Sequence, residues 1–451
     1  MKMKLLIKDA TIVNEGNIYV SDVYIVNDRI EKISNNINLP DINCKVFNAE
    51  GLYLLPGLID DQVHFRDPGL THKATIQSES IAAVAGGVTS FMDMPNTVPN
   101  TTTLKLLEEK YHSAKKQSLA NYSFFMGITK NNLEEALRID NETVCGLTDD
   151  GLYFNLDDGI LANYPDYLEQ LFSRTNTLVA LHCEDDNIVN NNTKLYKDKF
   201  GDDIPLYYHS LIRNEKACFE ATKQVIEIVE KYNARFHAYH ISTEIETELF
   251  KSNKLLRDKR ITSEACIHHL WFTDKDYDRL GNLIKWNPSI KSENNKLGLI
   301  KALNNNVIDI IATDHAPHLL SEKQGNYFQS KSGGPLVQHA LVTLLELYHQ
   351  GYFTLEKIVE KTSHHVAEIY RLIDRGYIRE GYYADFVLVD LNDKWKSSPE
   401  ANLYKCGWSP FDNVFFTSKV IQTYVNGHLA YDRGTVNTVK MGKRLLFEKE
   451  R

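Results

Sequence analysis

The pattern of hydrophobic and polar positions separates two β-rich ends from a long middle. At the N-terminal end, short runs of β-branched and aliphatic residues alternate with Asn, Asp and Gly turns, which predicts strands. The strands predicted there are Leu5–Ile7, Thr11–Val13, Val23–Val26 and Arg29–Ile33. At the other end, Tyr383–Asp390 predicts a strand, and Val420–Val425 followed by Asn426-Gly427 predicts a hairpin. The two ends therefore predict one small β domain to which both contribute.

The middle of the chain predicts eight apolar strands separated by helical segments. The predicted strands are Leu55–Asp60, Val88–Met92, Tyr122–Gly127, Val144–Leu147, Thr177–Leu181, Arg235–Tyr239, Ile261–Ala265 and Ile308–Ala312. Apolar residues at a spacing of three and four predict helices at Ile76–Ala85, Leu104–Lys115, Glu215–Lys231 and Gly334–Tyr348. This alternation is typical of an α/β protein with a (β/α)8 TIM barrel. A doubly wound open sheet is the alternative, but its phosphate-binding motif G-x-G-x-x-G does not occur.

These patterns predict three segments along the 451 residues. Residues 1–53 form the N-terminal part of a composite β domain, residues 54–375 form the barrel, and residues 376–451 form the C-terminal part of the β domain. We expect the composite domain to be a small β-sandwich. A barrel of this length agrees with the size range of the fold.

Composition and charge narrow the class of protein only slightly. The chain is 43% hydrophobic and 25% charged, which is ordinary for a globular protein and excludes a disordered or fibrous one. Acidic residues outnumber basic ones by 60 to 51, which argues against nucleic acid as the main partner. No apolar stretch is long enough to predict a membrane span. The six cysteines are scattered, as is typical of reduced thiols in a cytoplasmic protein.

Histidine, aspartate and asparagine residues follow almost every predicted barrel strand. The strings are Asp60–Arg66, Met94–Thr97, Thr148–Gly151, His182–Asp185, His240–Ser242, Ile267–His269 and Thr313–His318. Because the C-terminal ends of barrel strands meet at one face, these side chains should converge there. Imidazole and carboxylate ligands suit zinc, although manganese or cobalt would also fit. A bound metal ion makes water a strong enough nucleophile to hydrolyse an amide.

Eight motifs carry a resemblance to a known family. They are PGLIDDQVHFRDPGLTHK, MDMPNT, TDDG, LHCED, HISTE, HHL, KWNPSIK and ATDHAPH. In order and spacing they resemble the dihydroorotase branch of the amidohydrolase superfamily, in the bacterial form with Asp in place of the carboxylated lysine. The resemblance covers nearly the whole chain. It implies a (β/α)8 barrel with one or two zinc ions that interconverts N-carbamoyl-L-aspartate and L-dihydroorotate in pyrimidine (UMP) biosynthesis.

The resemblance also implies roles for the matching residues. The implied metal ligands are His64, Asp150, His182, His240 and Asp314. Asp150 would bridge two ions, and Asp314 would also act as the general base and acid. The implied substrate-binding residues are Arg66, Asn96 and His318, which would hold the substrate carboxylate, and Asn287. An arginine suits this role because its planar guanidinium can bind a carboxylate with two hydrogen bonds.

One position departs from the family pattern. The family motif on the first strand is D-x-H-x-H-x-R, and Gln62 stands where the first His is expected. A carboxamide oxygen is a harder and usually weaker zinc ligand than an imidazole. We therefore expect one tightly bound zinc at Asp150, His182 and His240. The occupancy of a second site, shared by Gln62, His64, Asp150 and Asp314, is left open.

Two alternatives also remain open. A non-catalytic dihydroorotase-like partner of aspartate transcarbamoylase would explain Gln62, but such chains usually lose several ligands. A hydantoinase or allantoinase normally carries a carboxylatable lysine after the fourth strand, and Val144–Asp150 contains none. The expected partners are a small-molecule substrate and a second copy of the chain in a homodimer. No nucleic acid or membrane partner is expected, and association with aspartate transcarbamoylase is left open.

Overall fold

The computed structural model describes residues 3–38, 43–152, 161–252 and 254–449. Five strands come first: β1 (Lys4–Asn14), β2 (Asn17–Val26), β3 (Arg29–Ser34), β4 (Lys45–Asn48) and β5 (Tyr53–Pro56). The barrel strands are β6 (Leu58–Val63), β7 (Val88–Asp93), β8 (Asn121–Phe124), β9 (Met126–Gly127), β10 (Leu147–Thr148), β11 (Val179–Leu181), β12 (Phe236–Ala238), β13 (Ile261–Cys266) and β14 (Ile310–Ala312). The last strands are β15 (Phe386–Asp390), β16 (Trp395–Lys396), β17 (Phe415–Phe416), β18 (Lys419–Val425), β19 (His428–Asp432) and β20 (Thr435–Val436).

Helices follow most of the barrel strands. They are α1 (Ile76–Ala85), α2 (Leu104–Gln117), α3 (Leu133–Ala136), α4 (Pro165–Phe172), α5 (Asp186–Phe200), α6 (His209–Ile212), α7 (Glu215–Tyr232), α8 (Ile267–Trp271), α9 (Tyr277–Leu280), α10 (Glu293–Asn304), α11 (Ala340–His349), α12 (Leu355–Val359) and α13 (His365–Tyr370). Among the described residues, no helix is long and apolar enough to cross a membrane.

Parallel pairing of the barrel strands confirms the predicted fold class. Strands β6, β7 and β8 form one sheet, and β9 to β14 pair in chain order in a second. Strands β8 and β9 are two parts of the third barrel strand, interrupted at Phe125. The first and last strands meet where Val63 bridges His315, and the His64 amide donates to the His315 carbonyl at 2.8 Å. Eight strand positions therefore surround one axis.

The predicted first barrel strand, Leu55–Asp60, is wrong in its bounds. Strand β5 ends at Pro56 and belongs to the end sheet, while the barrel strand runs from Leu58 to Val63. The chain changes sheets at Gly57, where an added Cβ would lie 2.2 Å from the Thr89 side chain. The sequence shows one apolar run because both segments are buried, so the change of sheet leaves no local mark.

The start of the predicted helix Gly334–Tyr348 is also wrong. A short 3-10 turn begins at Val337, and α11 begins at Ala340. Pro335 disfavours helical geometry at the residue before it, so the chain stays extended there. The Leu336 amide instead donates to His315 Nδ1 at 2.9 Å. The predicted helix Ile76–Ala85 is confirmed with the same bounds, and the Thr75 hydroxyl caps it.

Both chain ends contribute to one β-rich domain, as predicted, and the largest sheet of this domain has nine strands. Its order is β20-β19-β18-β15-β5-β1-β2-β3, with β4 beside β1. The segments predicted separately at Leu5–Ile7 and Thr11–Val13 are two halves of β1, which bulges near Asp9. The hairpin at Asn426-Gly427 is confirmed, and both residues have the positive φ that a tight two-residue turn requires. The exact domain limits, at 53/54 and 375/376, stay a prediction.

Candidate active site

The predicted metal ligands lie together at the C-terminal ends of five barrel strands. His64 and His182 directly follow β6 and β11, while Asp150, His240 and Asp314 come two residues after β10, β12 and β14. All five are buried, and none is more than 6% exposed. The fold thus collects these residues from distant parts of the chain into one buried cluster.

Three residues at this end of the barrel have a left-handed backbone conformation. The φ angles are +64° at Arg66, +38° at His240 and +50° at Asp314. Such conformations are uncommon for residues other than glycine and cost on the order of 1–3 kcal/mol each. They persist where the surrounding structure determines the backbone, and they cluster at functional sites.

Asp150, His182 and His240 form the first group that could hold a metal ion. One ligand atom from each lies within 4.8 Å of the other two. His182 Nδ1 is 3.0 Å from His240 Nε2 and 3.9 Å from Asp150 Oδ1. Ligands at about 2.0–2.2 Å in a tetrahedron lie about 3.4 Å apart, so these donors fit a zinc-sized ion. Burial, together with neighbouring His182, lowers the pKa of His240, which favours the neutral imidazole that binds metals.

His64 faces two carboxylates beside this group. Its Nε2 is 3.2 Å from Asp150 Oδ2 and 3.2 Å from Asp314 Oδ1. Its Nδ1 is 2.8 Å from Asn96 Oδ1, which can only accept, so Nδ1 carries a hydrogen. Burial opposes protonation of His64, but hydrogen bonds to Asp150 and Asp314 outweigh it and raise the pKa to about 9. The carboxylates therefore attract positive charge to a place where a metal ion could sit.

Asp150 and Asp314 differ in their preference for the proton. For Asp150, burial opposes ionisation, but His64, His240 and His182 outweigh it and hold the pKa below its usual range. For Asp314, burial dominates and raises the pKa to about 6. A bridging ligand must be ionised, whereas a group that exchanges protons works best with a pKa near neutrality. The two environments are compatible with the roles implied by the sequence, which stay a prediction.

Gln62 does not offer a ligand oxygen to this site as it is oriented. Its Nε2 donates to Asp150 Oδ2 at 3.3 Å, while its Oε1 accepts from the Cys266 thiol at 3.4 Å. An amide NH2 group cannot coordinate a metal ion. The side chain thus supports Asp150 by a hydrogen bond where the family pattern has an imidazole.

Sequence reasoning missed the residues that orient His182. Its Nε2 lies 2.8 Å from Glu184 Oε2, and the same oxygen accepts from Arg213. Burial opposes ionisation of Glu184, but Arg213 and His182 outweigh it and hold its pKa well below the usual range. A metal-ligating histidine commonly donates its other N–H to such a carboxylate. Glu184 stands in the motif LHCED, but nothing in the sequence connects Arg213 with it.

Asp60 and Asp149 lie near the predicted ligands but accept hydrogen bonds mainly from backbone amides. Asp60 accepts from the Thr313 amide at 3.1 Å and from its hydroxyl at 2.6 Å, which joins the first strand to the last beside Asp314. Asp149 accepts from the His182 amide at 3.2 Å and the Leu161 amide at 3.0 Å. Both carboxylates thereby position the chain around the cluster.

A cavity of about 470 Å³ opens onto these ligands. Its lining includes the four predicted substrate-binding residues, Arg66, Asn96, Asn287 and His318. It also includes four further cationic side chains, Lys73, Arg213, Lys285 and Lys331. The buried Asn287 Oδ1 has no hydrogen-bond partner within the described part of the chain. Two of these cations are already paired, Lys73 with Glu322 at 2.7 Å and Arg213 with Glu184. The cavity thus combines cationic side chains with an amide oxygen still able to accept a hydrogen bond.

Arg66 is held in the cavity wall by uncharged partners. Its Nε donates to the Pro317 carbonyl at 3.2 Å, and an Nη lies 3.3 Å from His318 Nε2. Burial holds the pKa of His318 well below its usual value, so this imidazole is neutral at neutral pH. The charge of the buried guanidinium is therefore available to an anion in the cavity.

Comparison with known proteins assigns the class. The amidohydrolase family model matches residues 53–430. A dihydroorotase of Methanosphaera stadtmanae is 33% identical over 377 residues, 83% of this chain and 85% of its own. An allantoinase of Desulfitobacterium hafniense is 30% identical over 448 residues, 98% of each chain. The solved structure of an L-hydantoinase from Arthrobacter aurescens shares the fold with a TM-score of 0.90, at 22% identity over 98% of this chain and 99% of its own.

The chain belongs to the amidohydrolase family. Its relatives include proteins named dihydroorotases, which match over most of their length, and one named allantoinase. The chain is therefore a cyclic amidohydrolase of the dihydroorotase type.

Proposed function

We propose that this protein is a dihydroorotase that reversibly cyclises N-carbamoyl-L-aspartate to L-dihydroorotate and water, a step of pyrimidine biosynthesis. The observation that carries the proposal is a cluster of histidines and aspartates opening into a cavity whose wall holds Arg66. Both substrates carry a carboxylate, and a buried guanidinium binds that group with strong, directional hydrogen bonds. The dihydroorotases among the relatives support the same activity.

We propose zinc as the metal. Asp150, His182 and His240 would hold one ion, and the donor set of one carboxylate and two imidazoles suits zinc. A bound divalent ion supplies Lewis acidity and lowers the pKa of water toward about 7. Asp314 and His64 lie beside this group, and Gln62 weakens a second position there. We therefore propose one tightly bound zinc and a second ion held more weakly.

The side chains around the cavity have distinct tasks in the reaction. In the hydrolytic direction, water adds to the ring amide carbonyl, and Asp314 accepts its proton. Asp314 then passes this proton to the leaving nitrogen as the C–N bond breaks. In the direction of cyclisation, Asp314 removes a proton from the carbamoyl nitrogen as this nitrogen attacks the carbon of the side-chain carboxylic acid. Asp314 then passes the proton to the hydroxyl group, which leaves as water as the C–O bond breaks. Arg66, with Asn96 and His318 beside it, orients the substrate through the carboxylate that does not react.

The allantoinase relative makes a second substrate class worth testing. Allantoin and hydantoin are cyclic amides without a carboxylate, so they would gain little from Arg66 and the four further cations of the cavity. The described fourth strand carries no lysine at its end: Leu147 and Thr148 are followed by Asp149 and Asp150. Both observations favour dihydroorotate over a neutral ring.

One assay tests the proposal. The purified full chain is given dihydroorotate, hydantoin or allantoin, with and without added zinc. We expect hydrolysis of dihydroorotate alone, and we expect Asp314→Asn to abolish it while the far-UV CD spectrum and the unfolding midpoint stay near those of the wild type. Preference for hydantoin or allantoin would overturn the substrate, and near-normal turnover by Asp314→Asn would overturn the role of Asp314.

The assembly also stays a proposal. We propose a homodimer in the cytoplasm, and sedimentation measurements of the purified chain would test it. Co-purification with aspartate transcarbamoylase would show whether the chain also joins that enzyme.

A further inference from the structure

A second group of metal-binding side chains lies inside the barrel. Asp61 on β6, His237 on β12 and Glu264 on β13 are all fully buried. One ligand atom from each lies within 4.8 Å of the other two. None of the three was assigned a role from the sequence, and none lines the cavity of the candidate active site.

The hydrogen bonds of His237 direct a lone pair into this group. Its Nδ1 is 2.8 Å from the Thr262 hydroxyl, which itself donates to the Phe236 carbonyl at 3.3 Å. The hydroxyl oxygen therefore accepts from Nδ1–H, and in the neutral imidazole Nε2 carries the lone pair. This Nε2 faces Glu264 Oε2 at 3.2 Å and Asp61 Oδ2 at 3.7 Å. Three electron-rich atoms thus face one another in the buried interior.

The two carboxyl groups are themselves in contact. Asp61 and Glu264 are close enough to form a hydrogen bond in the closed interior when one of them is protonated. Tyr370 donates to Asp61 Oδ2 at 2.7 Å, and the His240 amide donates to Glu264 Oε1 at 3.1 Å. The other oxygen, Asp61 Oδ1, has no hydrogen-bond partner among the described residues. Two adjacent buried carboxyl groups cannot both carry a negative charge without a large cost, so either a shared proton or a cation must offset that charge.

The separations within the group fit a metal ion. His237 Nε2 lies at hydrogen-bonding distance from Glu264 Oε2, 3.2 Å, and 3.7 Å from Asp61 Oδ2. These two separations lie on either side of the separation of about 3.4 Å between ligands of a tetrahedral ion with bonds of about 2.0–2.2 Å. The hydroxyl of Tyr239, whose ring packs 5.7 Å from that of His237, is also buried and has no partner in the described chain.

We propose that Asp61, His237 and Glu264 bind a divalent transition-metal ion of the zinc class inside the barrel. One imidazole and two carboxylates form a mixed N/O donor set that suits zinc or manganese. The ion would join the first barrel strand to the sixth and seventh. Because the site is closed on all sides, the ion acts on the stability of the barrel and not on the substrate. It is independent of the function proposed above.

Anomalous diffraction tests the proposal directly. Crystals of the full wild-type chain, incubated with Zn²⁺, are measured above and below the zinc absorption edge. We expect an anomalous peak about 2.0–2.2 Å from His237 Nε2 and from a carboxylate oxygen of Asp61 and of Glu264. Zinc at Asp150, His182 and His240 with no peak at the interior group would overturn the proposal, and would assign a shared proton to the carboxyl pair.

Metal analysis of variants provides a second measurement. We expect Asp61→Asn and His237→Asn to lose one equivalent of zinc relative to the wild type, while His182→Asn keeps that equivalent. Asp309→Asn is the matched control, since Asp309 is also a buried barrel aspartate but pairs with Lys259, outside both groups. Equal zinc contents in Asp61→Asn, Asp309→Asn and the wild type would overturn the proposal. Should the interior variants fail to fold, the wild-type crystals still decide.

Discussion

Replacing Glu184 with Gln should weaken metal binding without changing any of the proposed metal ligands. The substitution keeps the size of the side chain but removes the charge that His182 Nε2 and Arg213 share. The neutral amide is a poorer acceptor for the imidazole N–H, and its NH2 group can turn toward His182. The imidazole of His182 then becomes a weaker metal ligand through Nδ1, which faces Asp150 and His240, and its ring is held less firmly.

The size of the effect follows from the geometry. The bond from His182 to Glu184 is 2.8 Å long, and Glu184 is fully buried, so solvent does not screen it. Removing such a partner typically lowers metal affinity about 10-fold to 100-fold. This corresponds to a loss of about 1.4–2.7 kcal/mol in binding free energy. The lost charge also leaves Arg213 without that carboxylate.

Competition with a chelator of known affinity measures the zinc dissociation constant of each variant. Glu246→Gln is the matched control, because Glu246 is also a buried glutamate near the sixth strand but bonds to Thr222 and Thr243. We expect the control to bind zinc as the wild type does. A Glu184→Gln protein with unchanged zinc affinity and normal folding would refute the argument that Glu184 orients His182.

Three further predictions concern binding, pH and stability. Arg66→Met should raise KM for dihydroorotate about 10-fold to 100-fold, since a hydrogen bond to a charged group contributes about 1.5–3 kcal/mol; an unchanged KM in steady-state kinetics would contradict this. Burial lowers the pKa of Lys285 to about 8, so its charge is present below pH 8 and lost above it. KM should therefore rise between pH 7 and 9, and Lys285→Arg should remove that rise if Lys285 causes it. Lys110→Met should lower the free energy of unfolding, measured in urea, by about 3–5 kcal/mol, because the buried Asp93 carboxylate would lose its partner at 2.6 Å. A smaller loss would contradict the prediction that this buried ion pair stabilises the fold.

Local sequence patterns predicted the barrel, the hairpin at Asn426-Gly427 and the strand ends that carry the candidate ligands. These features depend on residues close together in the chain. Alternation of apolar strands and helices follows from burial, and a turn with two positive φ angles follows from Asn-Gly itself. The order of the strands then brings their C-terminal ends to one face. Sequence alone therefore predicted which side chains would gather, because the fold class determines where strand ends meet.

Only the tertiary structure decided which side chains touch. The change of sheet at Gly57 depends on contact with Thr89, and the apolar run around it gives no sign of that contact. The bond between Glu184 and Arg213 joins residues on separate loops. Asp61 occupies a variable position of its motif, and its significance arises only from His237 and Glu264 on other strands. Hydrogen bonds and charges of this kind depend on distance in space, which periodicity along the chain does not encode.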